Sequence, residues 1–440
     1  MSPSRYPELS EQQRFPILSD RGRKLLHQLR QHPHAPIWNW PNGEQLDHQD
    51  LTRVLEFANA LNRSEPQVPT WLALYVERCL HEVPFYRKRA QVGCPFEELP
   101  TFRRADLAPR VWEFVPDDEP LEKLITFSSS GTTGYPTRTA HHPFSAACGV
   151  PLLEHALQTF CSISLNRSSE HVAIANLVAY PEAYTTAIVV AYLKEAGCIR
   201  LNLDKSAWRA EGDCVRYLQQ WRAPVWLGDP IALGAIEKLS LDHQPQAILS
   251  SIMQLTDAYA RQLHERYACP VIDLYAMTEA GIIAARDPLA QPNPVHRILP
   301  HDLLVEILDE QGHRCPDGVR GEITLTGGRN PYLPLLRYRT GDFAALETIA
   351  GERCLVGLEG RLPVQYTSAA GRVIHSMEIT RLMRRYPVLR YEVKATSDGR
   401  HELHYHGDID SAALQEELTE LFRAIVRVVD MQPTRQRPIN

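Results

Sequence analysis

Apolar positions Leu25, Leu26 and Leu29 recur at helical spacing in "LSDRGRKLLHQLRQH", behind a Ser19/Asp20 pair suited to a helix N-terminus. A turn at Pro41, Asn42 and Gly43 separates this pattern from a second helical one, "HQDLTRVLEFANAL", so residues 1–65 read as a polar, helix-rich leader. An amphipathic helix begins in "VPTWLALYVERCLHEVPFYRKR" (68–89) and is terminated by Pro84. From 171 to 204 short apolar runs alternate with helical text. "HVAIANLV" and "CIRLNL" read as strands and "AYTTAIVVAYLKEAG" between them as helical, although its "AIVVAYL" run suits a buried strand or a helix. "APVWLGD", "AILSSI" and "PVIDLYAM" continue the alternation, with "TDAYARQLHERYA" as a helix. Strands alternating with helices predict an α/β fold with at least one largely parallel sheet.

After Pro294 the period shortens. "HDLLVEILDEQGHRCPDGVRGEITLTG" reads as strand, turn, strand, with turns at Gly312 and at Asp317-Gly318, and "FAALE" and "RCLVGLEGR" add further strands. Beyond 361 the pattern gives a helix ("SMEITRLMRRYP"), two strands ("RYEVKAT", "RHELHYHG") and a last helix ("DSAALQEELTELFRAIVRVV"). The expected organisation is a large α/β domain over 1–360, with its leader at 1–65 and a β-rich subdomain at 295–360. A small mobile α+β domain follows over 361–440.

With 44% hydrophobic and 23% charged residues the chain has the balance of a globular protein, and its net charge of -6 offers no general attraction to nucleic acid or to an anionic membrane. No apolar run approaches the roughly 20 residues of a membrane span. The polar N-terminal text lacks a signal-peptide core, so a cytoplasmic location is expected. The nine cysteines are scattered singly, without a CxxC pair that would suggest zinc. Lysine is scarce, at seven residues.

The stretch "TFSSSGTTGYPTRT" (126–139) follows a strand-like "EKLITF" and precedes the helical "AACGVPLLEHAL". It reads either as a solvated linker or as a turn that aims backbone N–H groups and hydroxyls at an anion. It lacks the lysine of a GxxxxGK[ST] loop. A serine nucleophile at Ser128, Ser129 or Ser130, activated by His141 or His142, is a further reading, without a GxSxG elbow or an evident acidic partner. Two more stretches carry candidate chemistry. In "DLYAMTEAG" (273–281) an apolar strand runs into Tyr, Thr and Glu, and "LRYRTGD" (336–342) is followed by "GLEGR" (357–361). Either is also compatible with a plain strand end or turn.

In this order, these stretches resemble the acyl-adenylate-forming superfamily, and most closely its phenylacetate–CoA ligase branch. "VPFYRKR" ahead of the loop, Pro136-Thr137 closing it, "HDLLVEI" (301–307) and Tyr-Arg-Thr before Asp342 carry the likeness to that branch, over roughly 68–430. The resemblance implies an acid–thiol ligase that joins an aromatic or arylacetic acid to AMP, releases pyrophosphate, and passes the acyl group to coenzyme A or a carrier-protein thiol. It implies ATP and Mg²⁺, no nucleic acid or membrane partner, and a possible homodimer. Ser129, Ser130, Gly131, Thr132, Thr133 and Gly134 would contact phosphates, Thr278 the α-phosphate, and Glu279 the metal. Tyr275 would stack on adenine with Asp273 near its amino group; Asp342 would hold the ribose, and Arg361 would sit beside it at a hinge. The acid would lie near Val178, Ala179, Tyr180, Tyr184, Ala276 and Gly281. Ala276 stands where the family pattern has glycine, and no lysine follows Lys394, where the family supplies one for adenylation. Arg435 or Arg437 could stand in as a charge. A protein that binds a nucleotide or adenylate without turnover, or one using a non-standard acceptor, is the alternative.

Overall fold

A computed structural model describes residues 9–63, 68–128, 138–181, 183–290, 294–299, 302–360, 365–368, 370–396 and 400–431. Its centre is one long mixed sheet. From one end the order is Leu303–Leu308, Arg320–Gly327, Leu335–Ile349, Glu352–Glu359, Val295–Ile298, Gly281–Arg286 and Val271–Met277. It continues through Ala247–Ser250, Val225–Gly228, Val172–Val178, Ala196–Asn202 and Thr186–Val190, while Phe102–Arg103 lies beside Leu335–Ile349. The strands from Val271–Met277 to Ala196–Asn202 run parallel. This is the α/β arrangement the alternation predicted, and the strands of 295–359 continue the same sheet as its antiparallel wing.

Parallel strands covered by helices on both faces need continuous apolar runs, and Ala247–Ser250 is buried at every position. One face carries Leu25, Leu26 and Leu29 of the helix Asp20–Gln31 together with Tyr217, Leu233 and Tyr259. The other carries Val54 and Phe57 of the helix His48–Ala60 with Leu152 and Leu157. The leader is therefore integral, with one helix on each face. Ser19 accepts from the Gly22 N–H at 3.2 Å and Asp47 from the Asp50 N–H at 2.9 Å, which fixes both starts.

Two expectations are corrected. The helical reading of 183–197 gives way to a strand, Thr186–Val190, antiparallel to Ala196–Asn202. Its alternate residues serve different cores, Ala187 and Val189 on one face and Val190 on the other, a period of two that a helix cannot provide. The last helix also stops earlier than expected, at Phe422. Arg423 adopts φ 53°, and Arg427–Asp430 then pairs parallel to His401–Gly407. These strands, with Val388–Ala395, enclose a core that includes Ile379, Met383, Leu403, Leu414 and Phe422. This unit rests against the large sheet's helices, where Leu389 enters the first core and the Ala258 N–H donates to Arg384 O at 3.1 Å. No helix among the described residues is long and apolar enough to cross a membrane.

Candidate functional site

Open α/β sheets bind ligands beyond the carboxyl ends of their parallel strands. At that edge Val271–Met277 turns back into Gly281–Arg286 through 278–280. Gly281 has φ 70°, and a Cβ there would lie 3.0 Å from Arg329 Nη1, so the tight return requires glycine. The turn leaves Thr278 exposed and Glu279 buried.

The long strand Leu335–Ile349 brings the second motif to this turn. Tyr275 donates its hydroxyl to Asp342 Oδ2 at 2.8 Å, and Tyr338 donates to Glu279 Oε1 at 3.3 Å. Burial pushes both phenols well above their ordinary range, so each stays a donor. The Asp342 N–H is held by Thr340 Oγ1 at 3.0 Å, next to Gly341 at φ 84°. A Cβ at Gly360 would lie 3.4 Å from Asp342 Oδ1, so the chain leading to residue 361 passes beside that carboxylate.

Sequence reasoning missed Arg104. Phe102 and Arg103 pair in register with Tyr338 and Arg339, and the next residue, Arg104, brings its Nε to 3.9 Å from Glu279 Oε1. The available signal was an arginine pair in "TFRRADL", and only the tertiary pairing gives it meaning. Among the described residues no group of three or more His, Cys, Asp or Glu converges as metal ligands. A Mg²⁺ ion here would rest on Glu279 and on ligand oxygens, which suits a metal commonly held by one or two carboxylates plus phosphates.

Asp273 is held by a different set of partners. It is buried, accepts from Arg286 Nε at 2.9 Å and lies 3.5 Å from His296 Nε2. Burial would raise its carboxyl, but Arg286 and His296 outweigh it and hold the group below the usual range. Arg286 Nη1 and Arg384 Nη2 both donate to Asp257 Oδ1, each at 2.9 Å. Asp273 Oδ2 is thus tied into a buried ion ladder.

The six substrate-pocket candidates lie on separate parts of the sheet's carboxyl edge. Ala276 and Gly281 lie beside Tyr275. Ala179 and Tyr180 follow Val172–Val178, three strand spacings or about 14 Å away. Tyr180 donates to Asp229, which caps the helix Pro230–Ile236 by accepting from the Ala232 N–H at 2.8 Å. Tyr184 is 40% exposed, packed at 5.8 Å from Trp40 with Arg200 over its ring at 4.3 Å. An aromatic ring engaged on both sides at the surface makes a poor pocket wall.

Ser129, Ser130, Gly131, Thr132, Thr133, Gly134 and Arg361 lie outside the described residues, as do Arg435 and Arg437. The strands Ile125–Ser128 and Arg138–His141, on either side of these residues, pair antiparallel. Both histidines of the serine-nucleophile reading are engaged elsewhere. His141 Nε2 bonds Thr139 Oγ1 at 2.9 Å, with its pKa lowered by burial to about 4, and His142 Nδ1 accepts from the Phe144 N–H at 3.0 Å. Lys394 is half-exposed, 3.4 Å from Glu392.

Residues 123–330 match the family described as AMP-binding enzyme. No curated protein sequence matches the chain. Among solved structures, 2-hydroxyisobutyryl-CoA ligase in the postadenylation state with R3-HIB-AMP is similar at a TM-score of 0.59 and 15% identity, over 91% of this chain and 95% of that one. Its complex with 2-HIB-AMP in the same state gives 0.59 and 14%, over 88% and 87%. An open conformation of that ligase, with 2-HIB-AMP and CoA, gives 0.53 and 16%, over 93% and 99%. The family match thus covers residues 123–330, and over most of its length the chain shares the fold of these ligase structures.

Proposed function

We propose that the chain is an ATP- and Mg²⁺-dependent acid ligase that forms an acyl-adenylate and passes the acyl group to the thiol of CoA or of a carrier protein. The observation that carries this reading is the convergence of Tyr275–Asp342 and Glu279–Tyr338 at the carboxyl edge of the parallel strands. Tyr275 stacks on adenine while its hydroxyl orients Asp342, whose carboxylate accepts from the ribose hydroxyls. Thr278, exposed at the turn, donates to the α-phosphate. Glu279 holds Mg²⁺, which when bound neutralises phosphate charge. Arg104, beside Glu279, supplies a second cation toward the phosphates. The serine-rich stretch and Arg361 complete the phosphate and ribose contacts.

The proposed acid is aromatic or arylacetic, a class that rests on the sequence resemblance to phenylacetate–CoA ligases. The second reading, nucleotide or adenylate binding without turnover, is favoured by the surface position of Lys394 beside Glu392. Pyrophosphate release separates the two readings. The assay uses ATP and a panel of benzoic, phenylacetic, cinnamic and short aliphatic acids, with hydroxylamine trapping the adenylate. Release with one acid class supports the ligase. AMP binding without release for any acid supports the binding protein.

A further inference from the structure

The strand Leu303–Leu308 is the last in the large sheet and pairs on one side only, with Arg320–Gly327. In an antiparallel ladder the backbone groups of successive residues point alternately toward the partner strand and away from it. The Cys315 N–H donates to Ile307 O at 2.8 Å from the outer side, so Ile307 faces outward, and so do Val305 and Leu303 before it. The N–H and C=O groups of Leu303 and Val305, about 6.8 Å apart along the strand, have no partner among the described residues. Backbone groups away from the surface are almost always paired, yet these two residues are each only 8% exposed.

That open edge borders a cavity of about 1290 Å³. Leu72, Val76 and Leu80 of the helix Leu72–Glu82 line it and share a core with Leu303 and Val305. The other face of the strand is polar. Glu306 lies there, its charge matched by Arg337, with Oε2 3.7 Å from Nε. Arg314 stands opposite Leu308 in an antiparallel bridge, so it projects on the Glu306 side. It is exposed, lines the cavity and forms no ion pair among the described residues. The edge is recessed, so the equally recessed edge of a second copy cannot meet it, whereas a single extended segment can.

We propose that this edge and cavity form a peptide-binding site, in which an extended segment of a partner protein adds a strand beside residues 303–305. Side chains opposite Leu303 and Val305 enter the apolar side lined by Leu72 and Val76, and the one between them turns toward Arg314. The segment is therefore apolar, acidic and apolar at successive positions. The site is independent of the acid-ligase reading. The test measures fluorescence anisotropy of a fluorescein-labelled Val-Glu-Val-Glu-Val peptide with the full chain. The controls are the same peptide N-methylated at its valines, a Val-Lys-Val-Lys-Val peptide, and the variants Val305→Pro and Arg314→Glu. Val305→Pro removes an N–H that no ladder bond uses, at the kind of edge position where proline is tolerated. Thermal melting checks that each variant folds.

The expected result is saturable binding to the wild type, weaker by about tenfold or more for the methylated peptide and for Val305→Pro, and by about fivefold for Arg314→Glu. Arg314→Glu should instead prefer the lysine peptide. Should Val305→Pro fail to melt cooperatively, the methylated peptide and Arg314→Glu decide the matter. Lack of saturable binding up to millimolar peptide overturns the proposal. Equal binding of the methylated peptide also overturns it, and assigns the cavity to apolar matter held without strand pairing. A wild-type dimer in sedimentation that Val305→Pro dissociates overturns it too, and gives the edge to a second copy of the chain.

Discussion

The two ends of the strand Val271–Met277 show how this chain separates structure from chemistry. At one end Asp273, Arg286, Asp257 and Arg384 form a ladder in which two carboxylates meet two guanidinium groups at 2.8 to 2.9 Å. The third Arg286 nitrogen is taken by Leu255 O at 3.1 Å. The charges are paired inside the protein. At the other end Glu279 and Asp342 are approached by two phenols and, at 3.9 Å, by Arg104. Here the contacts to Glu279 are long, 3.3 Å from the Tyr338 hydroxyl and 3.9 Å from Arg104 Nε. Short ion pairs hold one end inside the protein, whereas at the other Thr278 stands exposed beside the loosely held Glu279.

The largest expected effect comes from breaking the ladder. Arg286→Met leaves Asp273 buried without its guanidinium and should lower stability by about 3–5 kcal/mol, read by urea denaturation. The sign with pH is fixed by the depressed Asp273 carboxyl. Its contribution is present above the ordinary aspartate range and is lost as pH falls through the lowered folded value, so the variant should lose that acid limb. If Arg286→Met folds as stably as the wild type, the ladder does not distinguish this end of the strand. The converse substitution, Glu279→Gln, should change stability by less than about 1 kcal/mol and cut adenylation by about 10²–10³. A small activity loss with a large stability loss would reverse the assignment of the two ends.

Much of this contrast was legible in the sequence. Tyr275, Thr278, Glu279 and Asp342 stand in short motifs whose order carries the resemblance, and the structure brings Tyr275, Glu279 and Asp342 together with Thr278 in the turn between them. The ion pair of Asp273 was not legible in the sequence. Its partner Arg286 arrives only when the chain folds back on itself, and the Asp257–Arg384 link spans 127 positions. Arg104 escaped for the same reason, since its relation to Glu279 exists only through the pairing of Phe102 with Tyr338. The strand at 186–190 was obscured because a short apolar run suits either period until the second core is in place.

Smaller effects sharpen the comparison. Tyr275→Phe removes the hydroxyl from Asp342 but keeps the ring, so the KM for ATP should rise about fivefold, near the 1 kcal/mol of one hydrogen bond, with stability almost unchanged. An unchanged KM would show that the hydroxyl does not orient Asp342 for the nucleotide.

Glu44 tests the electrostatic premise away from both ends. It accepts from the Ala191 N–H at 2.7 Å, but burial, with Glu195 nearby adding to the rise, lifts its carboxyl from 4.5 to about 7. A raised folded value means that the native state holds its proton longer than the unfolded chain. Stability from this group is therefore full below 4.5 and is lost as pH rises through 7. Glu44→Gln keeps an acceptor for Ala191 and cannot ionise. It should match the wild type at low pH and exceed it at pH above the folded value by on the order of 1 kcal/mol, since partial solvent access discounts the full shift. Parallel urea curves for the two proteins at both pH values would mean that a carboxylate can remain under-compensated in this fold without stability cost. In that case the burial of Glu279 alone would not mark it as functional, and its assignment would rest on geometry.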